Sequence, residues 1–252
     1  MNDISKLLTA LFLLAVSSTT PAAETKLTGS EGQPAWLYTP TDSPDPQKSY
    51  WLAVGVHGAG GNGEGAGGIA SWAGGNVIVL GPTFIQQRDN QKPPQGEGMP
   101  ADSYQMAGPV HVAKLKALVA EIGRQWELHP KVFLHGFSAG AQFVHRFAMK
   151  EPDLTVGVSA ASGGTWSNRG YGEINPAAAG IPFALSCGDQ DRDKSMPSAP
   201  LSLVEWMKDF AAELERAHFD VTARVIENNG HRQHEEGLAL AKSCLKGRGD
   251  CA

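Results

Sequence analysis

The sequence predicts an α/β fold in which a mostly parallel central sheet carries helices on both faces. Two patterns predict it. The strand-like segments are short, continuous apolar runs rather than alternating ones, and strands buried on both faces read that way because neither face meets water. These runs are separated by segments of helical spacing, the order that builds a parallel sheet through crossover helices. A chain of 252 residues suits one such domain, and no charge run, repeat or low-complexity linker divides it.

Each element follows from its local residues. "AWLYTP" (35–40) is an early strand closed by Pro40, and the prolines and aspartates of "TDSPDPQK" (41–48) mark a surface loop. "YWLAVGV" (50–56) and "NVIVLGP" (76–82) are buried strands. Residues 106–126 have helical spacing, with Val112, Leu115, Val119 and Ile122 on one face. "KVFLH" (131–135) is a strand, followed by the helix "AQFVHRFAMK" (141–150), which stops before Pro152. "VGVSAA" (156–161), "PFALSC" (182–187) and "TARVIE" (222–227) are further strands, with a helix over 203–218 between the last two. A final helix covers 235–245. Ligands of such sheets bind at the carboxyl ends of the strands, so chemistry is sought there.

The first residues, "MNDISKLLTALFLLAVSSTTPAAE", read as a secretory signal: Lys6, an apolar run from Leu7 to Val16, then small residues to Ala22 and Ala23. The run is shorter than the roughly 20 apolar residues that span a bilayer. The expected division is a signal over 1–23 and a single domain over 24–252, secreted or periplasmic, with no membrane anchor in the mature form. Net charge is −5. Without basic clusters, that balance argues against nucleic acid or anionic membranes as partners. Export permits disulfides. Cys244 and Cys251 flank the short polar turn "LKGRGD" and are expected to pair, leaving Cys187 in an apolar run as a buried thiol.

The chemistry is carried by Gly136-Phe137-Ser138-Ala139-Gly140, a G-x-S-x-G motif between a strand and a helix. A tight turn there holds the serine oxygen clear of the sheet, at the positive end of the following helix. The Ala139 N–H is then placed for a developing oxyanion. A serine nucleophile needs a base, and the base an orienting acid; in this chain order they come later, acid before histidine. "FALSCGDQDRDK" ends one strand and offers Asp189, Asp191 and Asp193. Asp189 follows Gly188 directly and belongs to the turn, Asp191 is next on the loop, and Asp193 is already towards solvent. "ARVIENNGHRQH" ends the next strand and offers His231 on the loop and His234 where the last helix starts; the loop position favours His231.

"VHGAGGNGEGAGG" follows the strand 50–56. Its "GAGGNG" matches G-x-G-x-x-G, but a dinucleotide site needs a helix opening at once, which this glycine run is not expected to begin, and an acid at the end of the next strand, which instead ends in Gly81-Pro82. No Gly-Lys-Ser/Thr follows, so it is not a phosphate loop. A His57-Gly58 turn on this strand instead reads as the second oxyanion element, with Ala59 supplying the N–H and His57 beside the substrate. No ligand cluster has metal spacing, and no cofactor is implied.

These pieces together, "VGVHGAGG", "LHPKVFLHGFSAGAQF", "CGDQD" and "NNGH", resemble the α/β-hydrolase superfamily, and more narrowly its secreted esterases of the polyhydroxybutyrate depolymerase and feruloyl esterase type. The resemblance covers most of the chain after the signal. It implies an α/β-hydrolase fold and a Ser-His-Asp acyl-enzyme mechanism on carboxylic esters, short-chain or polymer-borne. In that family the acid often closes His-Gly, two residues, then Asp; "CGDQD" takes its place, with cysteine for histidine, and points to Asp191. The family's Gly-His pair corresponds to Gly230-His231. "SAGAQ" departs from the more usual "SAGG". The segment "GGTWSNRGYGEINPAAAG" is short where many relatives carry a helical lid, so a minimal lid is expected. Its Trp166 and Tyr171 are candidates to face substrate, with packing of the loop as the alternative. The alternatives to an esterase are a peptidase, amidase or acyltransferase with the same triad, or a catalytically silent binding protein.

Overall fold

The computed structural model describes residues 23–29, 32–84, 102–166, 173–192 and 201–247. One eight-stranded sheet organises them: β1 (Ala23–Thr28), β2 (Pro34–Thr39), β3 (Tyr50–Val56), β4 (Val77–Pro82), β5 (Leu128–Phe137), β6 (Thr155–Ala161), β7 (Phe183–Gly188) and β8 (Val221–Ile226), in the order β1-β2-β4-β3-β5-β6-β7-β8. β1 and β2 are antiparallel to their neighbours, and every pairing from β4 through β3 to β8 is parallel. The helices are α1 (Gly67–Ala73), α2 (Pro109–Gly123), α3 (Ala139–Lys150), α4 (Leu203–Arg216) and α5 (Glu235–Lys246). None of the described helices is long and apolar enough to cross a membrane.

The continuous apolar runs are explained by two cores. Leu52, Val54, Ile78, Leu80, Val132 and Leu134 face a large core with α2, α3 and α4. The residues between them, Ala53, Val77, Val79 and Phe133, face a smaller core with Ile69 of α1 and Leu245 of α5. Successive side chains of a strand point to opposite faces, so a strand buried on both needs apolar residues throughout. On α2 the fully buried positions are Val112, Leu115, Leu118 and Ile122, with Val119 at the margin of the stripe.

Two elements differ from the expectation. β1 pairs with β2 from Ala23↔Thr39 to Thr28↔Pro34; its sequence AETKLT is largely exposed and carries no apolar run to announce it. Residues 1–22, the body of the expected signal, lie outside the described residues. The glycine run after β3, expected to begin no helix, does begin one: a short 3₁₀ turn over Gly63–Ala66, whose Asn62 side chain accepts the Glu64 N–H, leads into α1. Glycine is demanded there by close approach rather than by looseness. A Cβ on Gly63 would lie 1.8 Å from the Gly81 carbonyl oxygen, and one on Gly81 would lie 1.9 Å from that of Gly63. The absence of an acid after β4 still argues against a dinucleotide site.

Candidate active site

Ser138 joins β5 to α3 with φ 55° and ψ −120°. A non-glycine residue in that region is strained by about 1–3 kcal/mol and persists only where its surroundings over-determine it. The two flanking glycines do so. A Cβ on Gly136 would lie 2.4 Å from the Gly140 carbonyl carbon, and one on Gly140 would lie 2.1 Å from the Val56 carbonyl oxygen. The motif's glycines therefore let strand, helix and the end of β3 meet at backbone contact. The Ser138 N–H is tied to the Ala161 carbonyl of β6 at 2.9 Å, which fixes the turn to the sheet.

The carboxyl ends of β7 and β8 bring the partners. The Asp189 carboxylate accepts the Asn229 N–H at 3.1 Å, the Gln190 N–H donates to the Asn229 carbonyl at 2.8 Å, and a Cβ on Gly188 would lie 2.2 Å from that same oxygen. "CGDQD" and "NNGH" are thus zipped together, and Asp189 serves the turn. Asp191 is 1% exposed. Its Oδ2 lies 2.9 Å from His231 Nδ1, while His231 Nε2 lies 2.9 Å from Ser138 Oγ. Burial pushes the Asp191 carboxyl up, but hydrogen bonds from His231 and Ser162, with the charge of His231, outweigh it and hold it below the ordinary carboxylate range. The His231 ring packs on Phe137, centroids 4.9 Å apart. The runner-up, His234, is buried as the N-cap of α5, and Asp193 lies outside the described residues.

The expected oxyanion residues adjoin this row. Ala139 is the first residue of α3, where intrahelical bonding leaves the N–H without a partner and the helix dipole favours negative charge. The His57-Gly58 loop lies against the turn: a Cβ on Gly58 would sit 3.4 Å from Ser138 Cβ. Ala59 follows, exposed.

Two expected substrate contacts take other roles. His57 Nδ1 donates to the Gly58 carbonyl at 2.7 Å and Nε2 accepts the Phe84 N–H at 3.0 Å. Both nitrogens are spent on backbone, so the ring braces the glycine loop. Trp166 is 2% exposed, stacks on Phe210 and donates its indole N–H to Asp209 at 2.9 Å; it packs the core, the alternative weighed for it. Tyr171 lies outside the described residues, as does Cys251. Of the short segment where a lid is common, 163–166 and 173–180 are described. Sequence reasoning missed the support behind the acid. The Cys187 thiol lies 3.5 Å from Asp191 Oδ2, with the Ser162 hydroxyl 3.7 Å behind it. Burial and the adjacent Asp191 push that thiol up to about 12, so it stays protonated and donates. The signal was its place four residues before the acid. Among the described residues no group of three His, Cys, Asp or Glu is placed to hold a metal ion.

No family model matches the chain, and no curated protein matches its sequence. Solved structures do match. The poly(3-hydroxybutyrate) depolymerase LpqC from Bordetella parapertussis is similar over 89% of this chain and 88% of its own, with 21% identity and a TM-score of 0.62. A CE1 ferulic acid esterase from Anaeromyces mucronatus, in complex with ferulic acid, is similar over 91% and 92%, with 13% identity and a TM-score of 0.65. Poly(aspartic acid) hydrolase-1 from Sphingomonas sp. KT-1 is similar over 90% and 97%, with 19% identity and a TM-score of 0.63. At such identities the likeness is one of fold: this chain has the α/β-hydrolase fold.

Proposed function

We propose that this chain is a secreted serine hydrolase of carboxylic esters. One observation carries the reading: a serine, an imidazole and a buried carboxylate stand in a row at 2.9 Å and 2.9 Å, at the carboxyl ends of three parallel strands. Ser138 Oγ attacks the ester carbonyl while its proton passes to His231 Nε2. Asp191 keeps the Nδ1 proton in place and stabilises the imidazolium that forms. The carbonyl electrons move onto oxygen, held by the N–H groups of Ala59 and Ala139. Collapse of the intermediate expels the alcohol, which takes the proton from Nε2. Water then repeats the sequence on the acyl-enzyme and frees Ser138.

The minimal covering expected from the sequence suits short-chain or polymer-borne esters, and two structural neighbours are described as a depolymerase and a ferulic acid esterase. The same triad cuts amides, a reading favoured by the neighbour described as a poly(aspartic acid) hydrolase. The test is a fluorophosphonate label with a panel of esters, amides and alcohol acceptors. Wild type should label and cleave short acyl esters faster than those of about twelve carbons, because an uncovered site lacks the walls that return about 0.8 kcal/mol per buried methylene. Ser138→Ala should lose labelling while keeping its fold. Labelling that survives in Ser138→Ala overturns the mechanism, and an unlabelled, inert wild type makes the chain a binding protein.

A further inference from the structure

Beside the triad, on the α1–α5 side of the sheet, a cavity of about 200 Å³ is lined by Gly58, Ala66, Gly68 and Ile69 on one wall and by Phe137 and Leu238 on the other. The two polar side chains that matter there are His135 and Gln233. His135 is buried, 5% exposed; its Nδ1 meets Ser159 Oγ at 3.1 Å and its Nε2 meets the Gln233 amide nitrogen. Burial lowers the imidazole to about 4, so it is neutral near pH 7. With Nδ1–H donating to Ser159, Nε2 accepts from the Gln233 NH₂, which anchors that amide and leaves its carbonyl oxygen as the group that receives a donor. His57, also on the wall, has both nitrogens on backbone.

The cavity adjoins the His231 loop. The Phe137 ring that lines it also packs on the ring of His231, and Gln233 is two residues beyond His231 on the same loop. In the proposed mechanism His231 Nε2 protonates the departing alkoxide, so the alcohol must extend past that ring. Resting on that reading, we infer that this cavity is the subsite for the alcohol portion of the ester, and that it takes a small alcohol bearing a second hydroxyl that donates to the Gln233 amide oxygen. The volume suits a few carbon and oxygen atoms. Walls of Ala, Ile, Leu and Phe suit the carbons, and one acceptor on a fixed amide sets the preference for the hydroxyl.

The test uses acetate esters, so that the acyl group is constant. Propyl acetate and 2-hydroxyethyl acetate have the same heavy-atom shape and differ in the hydroxyl. Wild type should favour the hydroxylated ester in kcat/KM by about threefold to tenfold, one hydrogen bond's worth, and Gln233→Leu should reverse that order. Gly68 lines the cavity, an added Cβ there meets nothing within 4 Å, and leucine is a better helix former than glycine, so Gly68→Leu adds bulk at the cavity wall without a backbone clash. It should lower the butyl-to-methyl acetate ratio at least about tenfold, since each buried methylene is worth about fourfold. Stopped-flow measurement places the loss: it should fall on acylation, because the alcohol has left before acetyl-enzyme hydrolyses. A changed deacylation rate or a shifted acyl-length profile in Gly68→Leu assigns the cavity to the acyl side and overturns the inference. Unchanged ratios in both variants, with fluorophosphonate labelling intact, overturn it alone. A wild type that neither labels nor hydrolyses any ester removes the underlying reading as well.

Discussion

Replacing Asp191 by asparagine tests the site at its most specific point. The carboxylate is 1% exposed and its Oδ2 accepts the hydrogen bond of His231 Nδ1–H at 2.9 Å. That bond dictates the tautomer: with the proton on Nδ1, Nε2 is bare towards Ser138 Oγ, 2.9 Å away. An asparagine NH₂ turned towards Nδ1 moves the proton to Nε2, where it blocks the base. An asparagine oxygen in its place keeps the tautomer but gives no charge to stabilise the imidazolium. Water cannot substitute at a buried position. Loss of this function in a serine triad costs about 10⁴ in kcat, or about 5 kcal/mol of barrier. Asp189→Asn is the internal control. Asp189 accepts the Asn229 backbone N–H, and an asparagine oxygen accepts it equally, so the expected loss is within about threefold, the scale of one weakened hydrogen bond. The assay is kcat/KM on a short-chain aryl ester near pH 8, with a thermal melt to show that each variant folds. If Asp191→Asn keeps more than a tenth of wild-type activity while Asp189→Asn loses it, the assignment is wrong.

Gly140→Ala should fail to reach the native state, or lose about 3 kcal/mol or more, because its Cβ would lie 2.1 Å from the Val56 carbonyl oxygen and neither backbone can yield cheaply; a wild-type-like melt refutes the packing argument. Stability should fall on acidification because of buried His135, lowered to about 4 when folded against about 6.5 when free. The unfolded chain takes that proton first, so the contribution is complete above about pH 6.5 and shrinks by about 3 kcal/mol as pH falls towards 4; urea midpoints at pH 7, 5.5 and 4 should show a steeper decline in wild type than in His135→Gln, and equal slopes refute it. Cys244 should be linked to Cys251, contributing about 2–3 kcal/mol by closing a short loop. Mass spectrometry of the unreduced digest should show the C-terminal crosslinked peptide, and a crosslink to Cys187 refutes the pairing.

Much of this site was legible because its requirements are local. Ser138 is announced by two glycines at a strand-to-helix junction, and chain order narrowed the base to a loop after β8. The carboxylate was less legible. Position within "CGDQD" gave Asp189 to the turn only by its place after Gly188, and the spacing in a family resemblance was what pointed to Asp191. The distinction is made by Asn229, forty residues away, whose N–H claims Asp189. Likewise His57 and Trp166 read as substrate contacts from their place beside the site; that the His57 ring donates to the Gly58 carbonyl and accepts the Phe84 N–H, and that the Trp166 indole donates to Asp209, is invisible to spacing.

The sequence by itself determined the layered architecture, the order of the parallel strands' apolar runs and the place of Ser138 at a tight strand-to-helix turn, because burial on two faces and backbone-to-backbone approach restrict residue type position by position. Tertiary structure alone decided which aspartate meets His231, which glycines are pressed against carbonyls across the sheet, that a helix starts within the glycine run, and that a cavity opens between α1 and the His231 loop. Those outcomes depend on pairs of segments distant in the chain. Hydrogen bonds and steric overlap act over a few ångströms, so they are set only when the fold has brought the partners together.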